Sequence, residues 1–137
     1  MNDAPPNGKH ILIADDSAAQ RRFLEILLTM DGHRVVSVED GLEAMAYVQE
    51  TRPDLIIVDV NMPYMNGIEL CENLKGELAY NNIPVIVFTN MDDEVTRQLA
   101  ELAQADAFVQ KPLLGKGFRQ LVSDMLEAVD TSSKPLS

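Results

Sequence analysis

Residues 11–17 read Ile11-Leu12-Ile13-Ala14-Asp15-Asp16-Ser17. Four apolar residues follow one another without polar alternation, which is the pattern of a strand buried on both faces, as in parallel sheets. The run stops at two carboxylates. From Ser17 the period changes: Ala19, Phe23, Ile26, Leu27 and Met30 fall on one face of a helix. Gly32 then supplies a stop.

The same grammar repeats down the chain. Val35-Val36-Ser37-Val38 is a second strand, and Asp40 can cap a short helix carrying Leu42, Met45 and Val48. Pro53 ends that segment. Leu55-Ile56-Ile57-Val58 forms a third strand that stops at Asp59, followed by a helix with Ile68, Cys71 and Leu74. Pro84 introduces Val85-Ile86-Val87-Phe88, which stops at Thr89, and Asp92 can cap a helix bearing Val95, Leu99 and Leu102. Ala107-Phe108-Val109 is a short fifth strand stopping near Lys111-Pro112. The last helix shows Phe118, Leu121, Val122, Met125, Leu126 and Val129 at helical steps. A strand–helix unit repeated five times predicts an α/β fold: a five-stranded parallel sheet, doubly wound, with helices on both faces. Residues 1–8, with Pro5, Pro6 and Gly8, read as a flexible tail. Residues 9–129 form the domain, and 130–137 read as a second tail or the stump of a linker.

Composition sets outer bounds. A chain of 137 residues with 46% hydrophobic and 24% charged residues suits one globular domain. Cys71 is the only cysteine, which excludes an intrachain disulfide and a cysteine zinc cluster and favours the cytoplasm. No apolar run approaches the roughly 18 residues of a membrane span. Asp+Glu 22 against Lys+Arg 11 gives a net charge of −11, which argues against direct binding of nucleic acid or an acidic membrane.

In doubly wound sheets the ligand crevice lies outside the carboxyl ends of the strands. Here those ends carry Asp15-Asp16, Asp59 and Thr89, with Lys111 just after the fifth strand. Two bare carboxylates at ~4 Å repel by about 4 kcal/mol at an effective dielectric of 20, so a shared cation is expected. A set of oxygen ligands suits Mg²⁺ or Mn²⁺ rather than zinc. With charge screened, a carboxylate oxygen can attack phosphorus and form an acyl phosphate. Lys111 adds a fixed positive charge and Thr89 a hydroxyl donor, which is the positioning and neutralisation that phosphoryl transfer needs. Taken singly, each residue has a plainer reading. Asp15 or Asp16 could cap the first helix, Thr89 could close a local hydrogen bond, and Lys111 could be a solvated charge. Their placement together on one edge favours the chemical reading.

The sequence resembles the response-regulator receiver domains of two-component signalling, the CheY-like family with its flavodoxin-like (βα)5 fold. The resemblance covers about residues 9–129 and rests on Ile-Leu-Ile-Ala-Asp-Asp-Ser at 11–17, Asp-Val-Asn-Met-Pro at 59–63 with Gly67, Val-Phe-Thr at 87–89 and Ala-Phe-Val-Gln-Lys-Pro at 107–112. It implies that Asp59 is the phosphoacceptor. Asp15 and Asp16 are then the metal-binding acidic pair, and Asn61 offers its backbone carbonyl to the ion. Thr89 and Lys111 contact the phosphoryl oxygens, Phe108 is the switch aromatic, and Pro112 matches a cis-proline. The implied partners are a sensor histidine kinase or a histidine phosphotransfer protein. The face formed by the fourth helix, fifth strand and fifth helix would be the output surface and a homodimer contact.

Some positions depart from the common pattern. Asn90 stands where a small residue is usual. Met91 follows at a position that tunes self-dephosphorylation; its apolar side chain cannot orient a water, which implies a longer-lived phosphoryl state. Gln104-Ala105 replaces a frequent Gly-Ala. A magnesium-dependent aspartyl phosphatase is the rival from another class, but it needs an acid two residues after its nucleophile, where this chain has Asn61. A phosphorylation-independent interaction module is a third reading, opposed by the presence of all the expected polar positions. No output sequence follows Val129, so the chain reads either as a single-domain regulator or as a piece of a longer protein.

Overall fold

The computed structural model describes residues 8–90, 93–111 and 116–133. Strands β1 (His10–Ala14), β2 (Arg34–Val38), β3 (Leu55–Val58), β4 (Val85–Thr89) and β5 (Ala107–Gln110) alternate with helices α1 (Ala18–Met30), α2 (Gly41–Glu50), α3 (Gly67–Lys75), α4 (Glu94–Leu102) and α5 (Lys116–Ser133). All strand pairs are parallel, in the order β2-β1-β3-β4-β5. Among the described residues, no helix is long and apolar enough to cross a membrane.

The uninterrupted apolar runs are divided between two layers by the strand's period of two. Leu12, Ala14, Ile56, Val58, Val85 and Val87 point into one core with residues of α2, α3 and α4. Ile11, Ile13, Leu55, Ile57, Ile86 and Phe88 point into the other with residues of α1 and α5. Burial on both faces is thus why these strands lack polar alternation.

Local signals explain the helix ends. Asp40 caps α2 by accepting from the Glu43 backbone N–H at 2.8 Å. Asn66 and Glu69 form a reciprocal capping box on α3. Gly32, with φ 91°, takes the left-handed conformation that follows α1, and Gln104 adopts the same conformation after α4 with φ 67°.

The structure corrects several expectations. Ser17, not Asp15 or Asp16, caps α1, its hydroxyl accepting from the Gln20 N–H at 3.2 Å. Asp93 caps α4, whereas Asp92 lies outside the described residues. The face of α1 that packs inward carries Leu24 and Leu28, while Phe23, Ile26 and Met30 are exposed. The α1 sequence holds two overlapping apolar stripes at helical spacing, and spacing alone does not choose between them. On α4 the expected stripe Val95, Leu99 and Leu102 faces solvent, and Thr96 and Ala100 face the core. Thr96 is tolerated in the core because its hydroxyl is satisfied by donating to Asp93 Oδ2 at 3.0 Å. Helix α5 continues to Ser133, past residue 129, where the sequence places the domain's end.

Candidate functional site

The sheet's backbone pairing runs on past the strand ends and carries the polar residues with it. The Asp15 N–H donates to Val38 O at 3.1 Å, the Asp59 N–H to Ala14 O at 2.9 Å and the Lys111 N–H to Thr89 O at 2.8 Å. Each residue is therefore placed by a hydrogen bond to its neighbour in the sheet rather than by a free loop.

The side chains converge. Lys111 Nζ donates to Asp15 Oδ2 at 2.8 Å and to Asp59 Oδ2 at 3.2 Å. All three residues are buried, as is Thr89, at the end of β4. The ammonium also lies 5.5 Å from the centroid of Phe88, whose ring stacks on Phe118 at 5.0 Å. Burial thus steers the charge of Lys111, with an aromatic face below and two carboxylates beside it. Asp15 Oδ1 accepts from the Ser17 N–H at 2.9 Å. Burial pushes the Asp15 carboxyl above the ordinary carboxylate range; the bonds from Lys111 and Ser17 oppose that shift without cancelling it.

Asp59 Oδ1 is buried with no hydrogen-bond partner among the described residues. A buried carboxylate oxygen without a donor is costly and asks for a ligand. Asp16 supplies a third carboxylate, exposed to solvent, and one oxygen from each of Asp15, Asp16 and Asp59 lies within 4.8 Å of the others. An all-oxygen cluster of this kind, with one oxygen orphaned, fits a hard divalent cation that keeps several of its waters. Asn61 is exposed in the loop between β3 and α3, two residues beyond Asp59.

Two neighbours support the cluster: Arg21, which pattern reading passed over, and Gly67. Arg21 Nη1 donates to the backbone carbonyl of Asp15 at 2.7 Å, buttressing the main chain beneath the acidic pair. Its only signal in the sequence is a cation in the second turn of the helix that follows. Gly67 opens α3 directly against Asp59: a Cβ there would sit 2.2 Å from the Asp59 carbonyl oxygen. On β5, Phe108 is half-buried and the guanidinium carbon of Arg97 lies 4.7 Å from its ring centroid. Met91 and Pro112 lie outside the described residues. Cys71 is wholly buried, donates to Ala103 O at 3.3 Å and has its thiol pushed up to about 11 by burial, which suits a core position.

Known proteins resemble this chain in sequence and fold. The family model of the response regulator receiver domain matches residues 11–123. A probable transcriptional regulator, ycf27, of Cyanophora paradoxa is 35% identical over 124 residues, covering 90% of this chain and 51% of that protein. The chain spans about half the length of the first curated relatives it matches. The signal receiver domain of a signal transduction histidine kinase from Syntrophus aciditrophicus has a TM-score of 0.81 at 33% identity, covering 95% of this chain and 96% of that one. The Mn²⁺-bound form of response regulator Rcp1 has a TM-score of 0.72 at 25% identity, covering 94% and 99%.

Proposed function

The chain belongs to the response regulator receiver domain family, and from that premise we propose that it is a phosphorylation-driven signalling switch whose phosphoacceptor is Asp59. The observation that carries this reading is the asymmetry of the Asp59 carboxylate. Lys111 steadies Oδ2 at 3.2 Å, while Oδ1 is buried and unpartnered among the described residues. One oxygen is held by the ammonium, and the other has no donor among the described residues, so the carboxylate is both fixed and open to an incoming cation and phosphoryl group.

Asp15, Asp16 and Asp59, with the backbone carbonyl of Asn61, would hold Mg²⁺ or Mn²⁺. When bound, the ion offsets the negative charge of an incoming phosphoryl group. The donor is a phosphohistidine on a histidine kinase or a phosphotransfer protein. An Asp59 oxygen attacks its phosphorus, an O–P bond forms, the P–N bond breaks and its electron pair leaves with the imidazole. Lys111 and the Thr89 hydroxyl then contact the phosphoryl oxygens. The new group adds about −1.5 to −2 charge at pH 7, and it shifts the fold only through contacts that differ between two states. Thr89 and Phe108 are the residues through which those contacts reach the surface of α4, β5 and α5. The exposed Val95, Leu99 and Leu102 on α4 give that surface an apolar stripe for a second copy or an output partner.

Intact mass after incubation with Mg²⁺ and a small phosphodonor tests the reading. Wild type gains a single phosphoryl group and Asp59→Asn gains none. Labelling that survives in Asp59→Asn overturns it.

A further inference from the structure

The contact between Arg97 on α4 and Phe108 on β5 has no part in phosphoryl transfer, yet it grips the residue on which the switch depends. We infer that Arg97 is a positioning residue that holds Phe108 at its outward station and so sets how often the unphosphorylated protein visits its activated shape. This rests on the switch role proposed above for Thr89 and Phe108.

The geometry is specific. Phe108 pairs with Val87 across the β4–β5 ladder and packs against the core layer that contains Val85, Val87, Ala100 and Ala103. Strand alternation puts Thr89, two residues beyond Val87, on that same face. Thr89 and Phe108 therefore share one layer beneath α4. The buried residues of α4, Thr96 and Ala100, are small. The half-buried Phe108 ring meets a cation from the exposed Arg97, whose guanidinium carbon lies 4.7 Å from the ring centroid.

Arg97 leaves from a fixed backbone. Its own N–H donates to Asp93 O at 3.1 Å, and the Asp93 carboxylate accepts from both the Thr96 N–H at 2.7 Å and the Thr96 hydroxyl at 3.0 Å. The planar guanidinium is attracted to the ring face, and that attraction exists only while the ring stays outward. A ring that moves inward toward Thr89 abandons it. The contact thus stabilises one of the two states and not the other, which is the requirement for biasing an equilibrium. At a solvent-accessible site its loss should raise the population of the inward state about two- to fivefold.

The test is a cycle of Arg97→Met, which keeps the length of the stem, and Arg97→Lys, each in wild type and in Phe108→Leu. Two readouts are taken: the initial rate of labelling by acetyl phosphate with Mg²⁺, and the ¹H–¹³C resonances of the Phe108 ring in the unphosphorylated protein. Arg97→Met is expected to speed labelling about two- to fivefold and to move the ring resonances. Arg97→Lys should fall between it and wild type, and Arg97→Met should change nothing in the Phe108→Leu background. Equal rates in Arg97→Met and wild type overturn the inference, as does an acceleration that persists without Phe108. If wild type is not labelled at all, the phosphoacceptor reading fails instead. The ring resonances still decide the Arg97 question in that case, because unchanged Phe108 signals in Arg97→Met refute the grip.

Discussion

Replacing Gly67 with alanine adds a single methyl group, yet the structure gives that methyl no room. Its Cβ would lie 2.2 Å from the Asp59 carbonyl oxygen, 2.8 Å from the Asp59 carbonyl carbon and 3.2 Å from Val58 Cγ2. Comfortable non-bonded separations begin near ~3.5 Å, so the shortfall against the carbonyl oxygen is more than ~1 Å. The obstacle is backbone, held by the Asp59 N–H bond to Ala14 O at 2.9 Å, and no rotamer change relieves it. Either α3 retreats or the main chain at Asp59 bends. Overpacking of this kind costs about 1–3 kcal/mol or more, against a helix-propensity gain of about 1 kcal/mol for leaving glycine. Because the clash is with backbone at 2.2 Å, the cost sits at the top of that range or above it, and a net loss of about 2 kcal/mol is expected. Gly117 provides the internal control: it also lies in a helix, but a Cβ there meets nothing within 4 Å. Gly117→Ala should stabilise by about 0.4–1 kcal/mol through the unfolded chain. In urea melts followed by far-ultraviolet circular dichroism, a slope of about 1.5 kcal/mol/M would put the Gly67→Ala midpoint more than ~1 M below wild type and the Gly117→Ala midpoint slightly above it. A Gly67→Ala midpoint at or above the wild-type value would refute the close-approach argument.

Two further outcomes follow from the charges. Burial disfavours the Asp15 carboxylate, so Asp15→Asn should raise the urea midpoint in chelator-treated buffer at pH 7 and should lose the stabilisation, about 1.4 kcal/mol at tenfold excess over Kd, that Mg²⁺ gives wild type; a variant still stabilised equally by Mg²⁺ contradicts the assignment. His10 and His33 are both held below the ordinary histidine value of 6.5, chiefly by burial. A depressed base binds fewer protons folded than unfolded, so its contribution is full above 6.5 and is lost as pH falls through the folded value. Stability should therefore fall with acidification below that point, less steeply in His10→Gln, and an unchanged slope in that variant removes His10 from the account.

Much of this architecture was legible in the residue order, because the features that define it act locally. Apolar runs such as Ile11–Ala14 and Leu55–Val58 are too short for helices and lack the alternation of half-exposed strands, so they announce a covered parallel sheet. Asp15, Asp16, Asp59, Thr89 and Lys111 each stand where a strand ends or just beyond, and the topology then brings those ends to one edge. The faces of α1 and α4 were not legible for a physical reason. Spacing alone allows more than one inward face on each helix, and tertiary packing makes the choice. On α4 it buries Thr96 and Ala100 and leaves the larger Val95 and Leu99 exposed. Arg21 and Arg97 were missed for another reason: a surface-type cation reveals its contact with a carbonyl or an aromatic ring only after tertiary packing.

The partition of the interior into two layers has a consequence for how such a protein can change over time. The proposed Thr89–Phe108 relay and α4 belong to one compartment, whereas the exposed stripe Phe23, Ile26 and Met30 rides on a helix rooted in the other. The sheet stands between them like a bulkhead. Substitutions that retune what α1 presents to the outside are absorbed on their own side, so recognition can drift while the moving machinery across the wall stays in working order.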